Sequence, residues 1–164
     1  MTGLTREDAA RALAEYFGTN AEHIGGTYDA WEVADESGKV WKLMYDSSIQ
    51  AERLEGGRWR NIGSSFYKVE MVTPKLKYEE LPKMQECIRI LRRAGGKVNS
   101  SCGLHVHIDA ANHNRQSLKN LLSIMYSKED MLFKALQVNE SRALRWCKKV
   151  REPMLEKARK LKSE

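Results

Sequence analysis

At 164 residues the chain is long enough to bury a real core and too short for two domains of ordinary size, so a single domain over 1–164 is expected. No apolar run approaches the roughly 20 residues that span a bilayer, and the opening MTGLTREDAARAL has no basic segment leading into a hydrophobic one, so a soluble, cytoplasmic protein with no membrane partner is expected. The 28 basic and 22 acidic residues leave a formal charge of +6, with much of the excess in IRILRRAGGK and RWCKKVREPMLEKARKLK, runs that attract anions such as nucleic acid, nucleotide phosphates or an acidic protein.

The first predicted element is a helix over LTREDAARALAEYFG. Thr5 can cap it, Glu7 and Asp8 lie in the first turn, Ala9, Leu13 and Phe17 form a stripe, and Gly18 ends it. From about His23 to Thr73 the segments TYDAWEVAD, KVWKLMYD, SIQAERL, RWRNIG and FYKVEMVT are rich in aromatic and β-branched residues. The turn signals ESGK, DSS and EGGR separate them, so they read as an antiparallel meander with one buried face. YEELPKMQECIRILRRAGG then puts Leu81, Met84, Ile88 and Leu91 on one helical face, with Pro82 tolerable in the first turn. A strand is expected over Cys102 to Ile108 and a long helix over RQSLKNLLSIMYSKEDMLFKALQ. A last helix, ESRALRWCKKVREPMLEKARKL, should be kinked at Pro153. The fold class is α+β: an antiparallel β-sheet, made of the meander plus the strand that carries His105 and His107, packed with three to four helices. Three cysteines, Cys87, Cys102 and Cys147, include no CxxC pair and are expected as free thiols.

Side chains alternate along a strand. Cys102, Leu104, Val106 and Ile108 should therefore share one face, and Gly103, His105, His107 and Asp109 the other. Two imidazoles at that spacing lie about 7 Å apart at Cα, close enough to share a metal, an anion or a substrate. In FYKVEMVTP, Val69 and Met71 alternate with Lys68 and Glu70, which places Glu70 opposite the apolar face. If both strands join one sheet, Glu70 and the histidines can line the same polar face. A carboxylate with imidazoles suits magnesium or manganese on a nucleotide, whereas zinc would want a further histidine or thiolate. Glu70 read alone is a solvent-facing residue paired with a lysine of the next strand. Glu129 falls on the apolar stripe of Leu118, Leu122, Met125, Leu132 and Phe133, where a lone carboxylate is costly without a partner, so either the stripe drifts and Glu129 is partly exposed or it reaches the site. Arg142 could meet a phosphate or carboxylate, or lie at the surface, and His113 reads as a loop residue.

Taken together, YKVEMVTPKL, a following helix, GGKVNSSCGLHVHIDA and a helix carrying LLSIMYSKEDMLFKAL resemble the amidoligase family. That family belongs to the glutamine synthetase-like and glutamate-cysteine ligase-like carboxylate-amine ligases. YDAWEVADESGKVWKLMYDSSI resembles the family's N-terminal strands. The resemblance implies an antiparallel sheet curved around a site for ATP, magnesium and a carboxylate, with an acyl phosphate attacked by an amine. It implies catalytic and metal-binding roles for Glu70, His105 and His107 and a substrate role for Asp46; Glu129 and Arg142 are the candidate nucleotide contacts. Two family segments find no match, the first acidic strand and a later arginine-bearing strand, so a partial ligase fold with impaired catalysis is expected. A second reading is a noncatalytic inhibitor or adaptor of mobile-element origin. Its basic surface, with Arg92, Arg93, Lys148 and Lys149, would act on a nucleic-acid or nucleoprotein target such as a CRISPR effector. An open sheet edge would favour a homodimer or protein partner.

Overall fold

In the computed structural model, which describes residues 1–160, the first helix begins where its capping signals put it. Helix α1 (Arg6–Phe17) opens with a capping box: the Asp8 N–H donates to Thr5 Oγ1 at 3.1 Å, and the Thr5 N–H donates to the Asp8 carboxylate at 3.3 Å. Gly18 closes it in the left-handed region, at φ 67. Ala9, Leu13 and Phe17 are buried as the stripe predicts, joined by Ala10 and Ala14. Backbone contacts group the chain into two compact units, Met1–His105 and Val106–Glu164, of which the first contains this helix.

The strands of the first unit are β1 (Ala21–Gly25), β2 (Ala30–Ala34), β3 (Val40–Tyr45), β4 (Glu52–Glu55), β5 (Arg58–Asn61) and β6 (Val69–Val72). They do not form one meander. Four make an antiparallel sheet in the order β1-β2-β3-β6, while β4 and β5 form a separate hairpin. The reason is local: Gly56 and Gly57 both take positive φ, 55 and 77, which closes a tight two-residue turn between Glu55 and Arg58. Every residue of β5 is exposed, Leu54 and Trp59 stand opposite each other in the hairpin, and β3 pairs with β6, Leu43 opposite Met71.

Trp31, Val33, Trp41, Leu43 and Val69 alternate onto the face covered by α1, and Val33, Trp41, Leu43 and Val69 are fully buried there. Helix α2 (Leu81–Arg93) packs on α1 with Pro82 in its first turn, and its Cys87 and Leu91 are fully buried. Glu32, Lys42, Met44, Glu70 and Val72 alternate onto the opposite face of the sheet. At the outer edge of β6, the Val69 N–H donates to the Met1 carbonyl at 3.0 Å and the Met1 amino group donates back to the Val69 carbonyl. Residue 1 therefore closes one end of that edge.

Two expectations are overturned after Gly96. Residues 102–110 form no strand, and Leu104, Val106 and Ile108, expected under the helices, are 82%, 74% and 81% exposed. Alternation sorts side chains between faces, but a strand also needs a neighbour for its backbone, and no ladder runs beside this segment. In the second unit, α3 (Arg115–Ala135) packs with α5 (Glu152–Lys160), and α4 (Glu140–Arg145) lies between them in sequence. The expected kinked helix is thus two helices with a break at 146–151. Pro153 is the second residue of α5, where its missing N–H costs nothing, rather than a kink. Leu161, the last residue of that expected helix, lies outside the described residues. The stripe on α3 is not a core either: Leu118 is 44% exposed, and the one buried residue of the helix is Glu129.

Candidate functional site

Glu70 stands where its parity placed it. Its neighbours Val69 and Met71 turn toward α1, and its own half-buried side chain lies on the face of the sheet away from that helix. The residue directly across on β3 is Met44, not a lysine. Lys42, the lysine on this face, is held 2.7 Å from Glu32 on β2. Among the described residues Glu70 has no ion pair, unlike Glu32, which lies on the same face two strands away.

The segment that delivers Glu70 is anchored by a buried cation that the pattern of the sequence did not flag. Arg6, 3% exposed, donates from Nη1 to the carbonyls of Ser65 at 2.7 Å and Lys68 at 3.3 Å, and from Nε to the carbonyl of Asp29 at 3.1 Å. It also pairs with the Asp29 carboxylate, whose other oxygen lies 2.6 Å from His23 Nε2. The hydrogen bond from Arg6, followed by that from His23, holds the Asp29 carboxyl below its ordinary range. Arg6 thereby ties the turn before β2 to the turn before β6. Nothing local in the sequence marks it, because a cation at the first position of a helix reads as a surface residue.

The histidines do not join Glu70 in a sheet. His105 and His107 are both exposed, on a segment without secondary structure, so the shared strand face expected for the three residues is absent. His105 ends the first unit and His107 belongs to the second. His113 lies in the loop before α3, 3.1 Å from Ser117 Oγ, as expected. Asp46 follows β3 directly, and its Oδ1 accepts from the Ser48 N–H at 2.8 Å and the Ser48 hydroxyl at 2.7 Å, a local turn. Glu129 finds its partner in the backbone: its two oxygens accept the Val150 N–H at 2.8 and 3.1 Å. Arg142 is half-buried on α4. Of the predicted basic residues, Arg93 is 2.7 Å from Glu86 and Lys149 pairs with Asp130, while Arg92 and Lys148 have no acidic partner among the described residues. No three His, Cys, Asp or Glu side chains among the described residues converge to hold a metal ion.

A four-stranded antiparallel sheet backed by α1, with Glu70 on the face away from that helix, makes this an α+β protein. The chain belongs to the amidoligase family, described as "Putative amidoligase enzyme", which matches it over residues 1–164. No curated protein and no solved structure matches it. Among the described residues no helix is long and apolar enough to cross a membrane.

Proposed function

We propose that the chain carries part of a carboxylate-amine ligase site, centred on Glu70 and the open face of the four-stranded sheet. The observation that carries this reading is the setting of Glu70: half-buried, aimed away from the helices, and left without a cation while the adjacent Lys42 is taken by Glu32. A carboxylate so placed favours a bound cation, which in this class of reaction is the ammonium of the amine substrate. In that reaction a carboxylate receives the terminal phosphoryl group of ATP, and the amine then attacks the acyl carbon and expels phosphate, leaving an amide. Glu70 would orient the amine and accept the proton it loses.

Magnesium would shield the phosphates during such a transfer, yet the described residues supply no three-ligand cluster for it, so no metal role is assigned to Glu70, His105 or His107. That same observation favours the second reading, a noncatalytic binding protein that keeps the fold. Thermal melts with millimolar magnesium-ATP separate the two. A competent nucleotide site predicts a rise equivalent to about 2.7 kcal/mol at a hundredfold excess over Kd, and Glu70→Gln, which should not unfold the protein, should lower amide formation because the amine loses its proton acceptor. Such a site also predicts phosphate release that requires both an amine and a carboxylate. A wild-type melt unmoved by magnesium-ATP, with no phosphate release, sinks the ligase reading in favour of the noncatalytic one.

A further inference from the structure

The charge of the chain belongs to one unit. Residues 1–105 contain 15 basic and 15 acidic side chains, so the whole formal +6 resides in 106–164. Within that unit, eight basic residues face two acidic ones between Arg142 and Lys160. The loop at 146–151, between α4 and α5, is fixed from beneath. Glu129 takes the Val150 N–H, and Lys149 pairs with Asp130 while its Nζ lies 5.3 Å from the centroid of the Phe133 ring. With Lys149 and Val150 turned to α3, the loop exposes Trp146, Cys147, Lys148 and Arg151. Trp146 is 59% exposed, and the Arg145 guanidinium lies 4.9 Å from its ring centroid. Arg145, Lys148 and Arg151 have no acidic partner among the described residues.

An indole held out from the surface and sheltered on one side by a guanidinium leaves a ring surface for stacking, with cations beside it for a phosphate backbone. We propose that the 145–151 segment docks single-stranded nucleic acid, with an unpaired base on Trp146 and phosphates on Arg145, Lys148 and Arg151. Duplex DNA or an acidic protein would use the charges and leave the indole without a partner, because only an unstacked base presents its π-face. Nothing in this surface depends on Glu70.

The test is fluorescence anisotropy of the full chain with a labelled oligothymidylate, a duplex of equal length and a polyglutamate peptide. The single strand is expected to bind best, with affinity falling steeply between about 50 and 200 mM salt. Trp146→Ala should weaken it about tenfold with little change in salt slope, and Trp146→Phe should keep most of the affinity. Lys148→Ala and Arg151→Ala should each weaken binding and lower the salt slope by about one. Wild-type melting curves for each variant would show that the fold is kept. Absence of single-strand binding at low salt, equal binding of duplex or polyglutamate, or an unchanged affinity in Trp146→Ala each overturns the proposal.

Discussion

A carboxylate with no exposed side-chain surface is costly unless its lone pairs are used, and Asp35 uses them fully. Oδ1 accepts from the Ser37 N–H at 2.9 Å, the Ser37 hydroxyl at 2.6 Å and the Lys39 N–H at 3.0 Å. Oδ2 accepts from Lys83 Nζ at 3.1 Å and from the Trp41 indole at 3.3 Å. Burial alone would raise its pKa, but the bonds from Ser37, Lys83, Lys39 and Trp41 together outweigh that and hold it well below the carboxylate range. Because the folded value lies below the unfolded one, near 3.9, the stabilisation is complete above that pH and is lost as pH falls toward the folded value. Asp35→Asn should therefore cost about 3 kcal/mol at pH 7, the scale of breaking a buried ion pair. In urea titrations the gap to wild type should narrow below about pH 4; a gap of constant size from pH 7 to pH 3 would mean that charge is not what Asp35 contributes. The turn itself was visible as ESGK, whereas the Asp35 cap on it and Lys83, 48 residues on, were not.

At the scale of elements, what was legible depended on whether the forces were local. Helix α1 was readable because its cap, stripe and terminal glycine lie within a dozen or so residues of each other, and Glu70 was readable because one strand fixes its own parity. The β3–β6 pairing steps over a hairpin, and the strand expected at 102–108 needed a backbone neighbour that no local pattern can supply. That is why Glu70 fell on its expected face and the two histidines did not share it. Glu129 shows the same limit: its place on an apolar stripe left partial exposure or the site as readings, but it is buried and its partner is a backbone N–H 21 residues away. Glu129→Ala leaves that half-buried donor without its acceptor and should destabilise the second unit by about 1 kcal/mol. Glu129→Gln, which keeps an acceptor, should cost less. Hydrogen exchange should show faster labelling of residues 146–151 in the alanine variant; unchanged labelling there would mean that another contact fixes the loop.

For the whole molecule, the distribution of buried surface predicts where unfolding starts. The core cluster of Leu4, Ala9, Ala10, Leu13, Ala14, Phe17, Val33, Trp41, Leu43, Val69, Cys87 and Leu91 lies entirely in the first unit. In the second, Glu129, Leu155 and Ala158 are the buried residues among those described, while Ile124, Met131, Leu136 and Leu144 are each more than half exposed. Helix α4, of six residues, is below the roughly 12–15 residues at which a helix begins to hold in water without packing. Regions with few buried contacts open at lower free energy than the global transition. In hydrogen exchange of the full chain, amides of α1, β2 and β3 should therefore exchange slowest, and those of α3 and α5 earlier by one or more decades in time. Added oligothymidylate should slow exchange most at the second-unit amides that open locally, since a ligand bound only to the native state raises the free energy of every opening that destroys its site. Protection in α3 and α5 equal to that in β3, without ligand, would show that the second unit draws its stability from something other than its own buried surface.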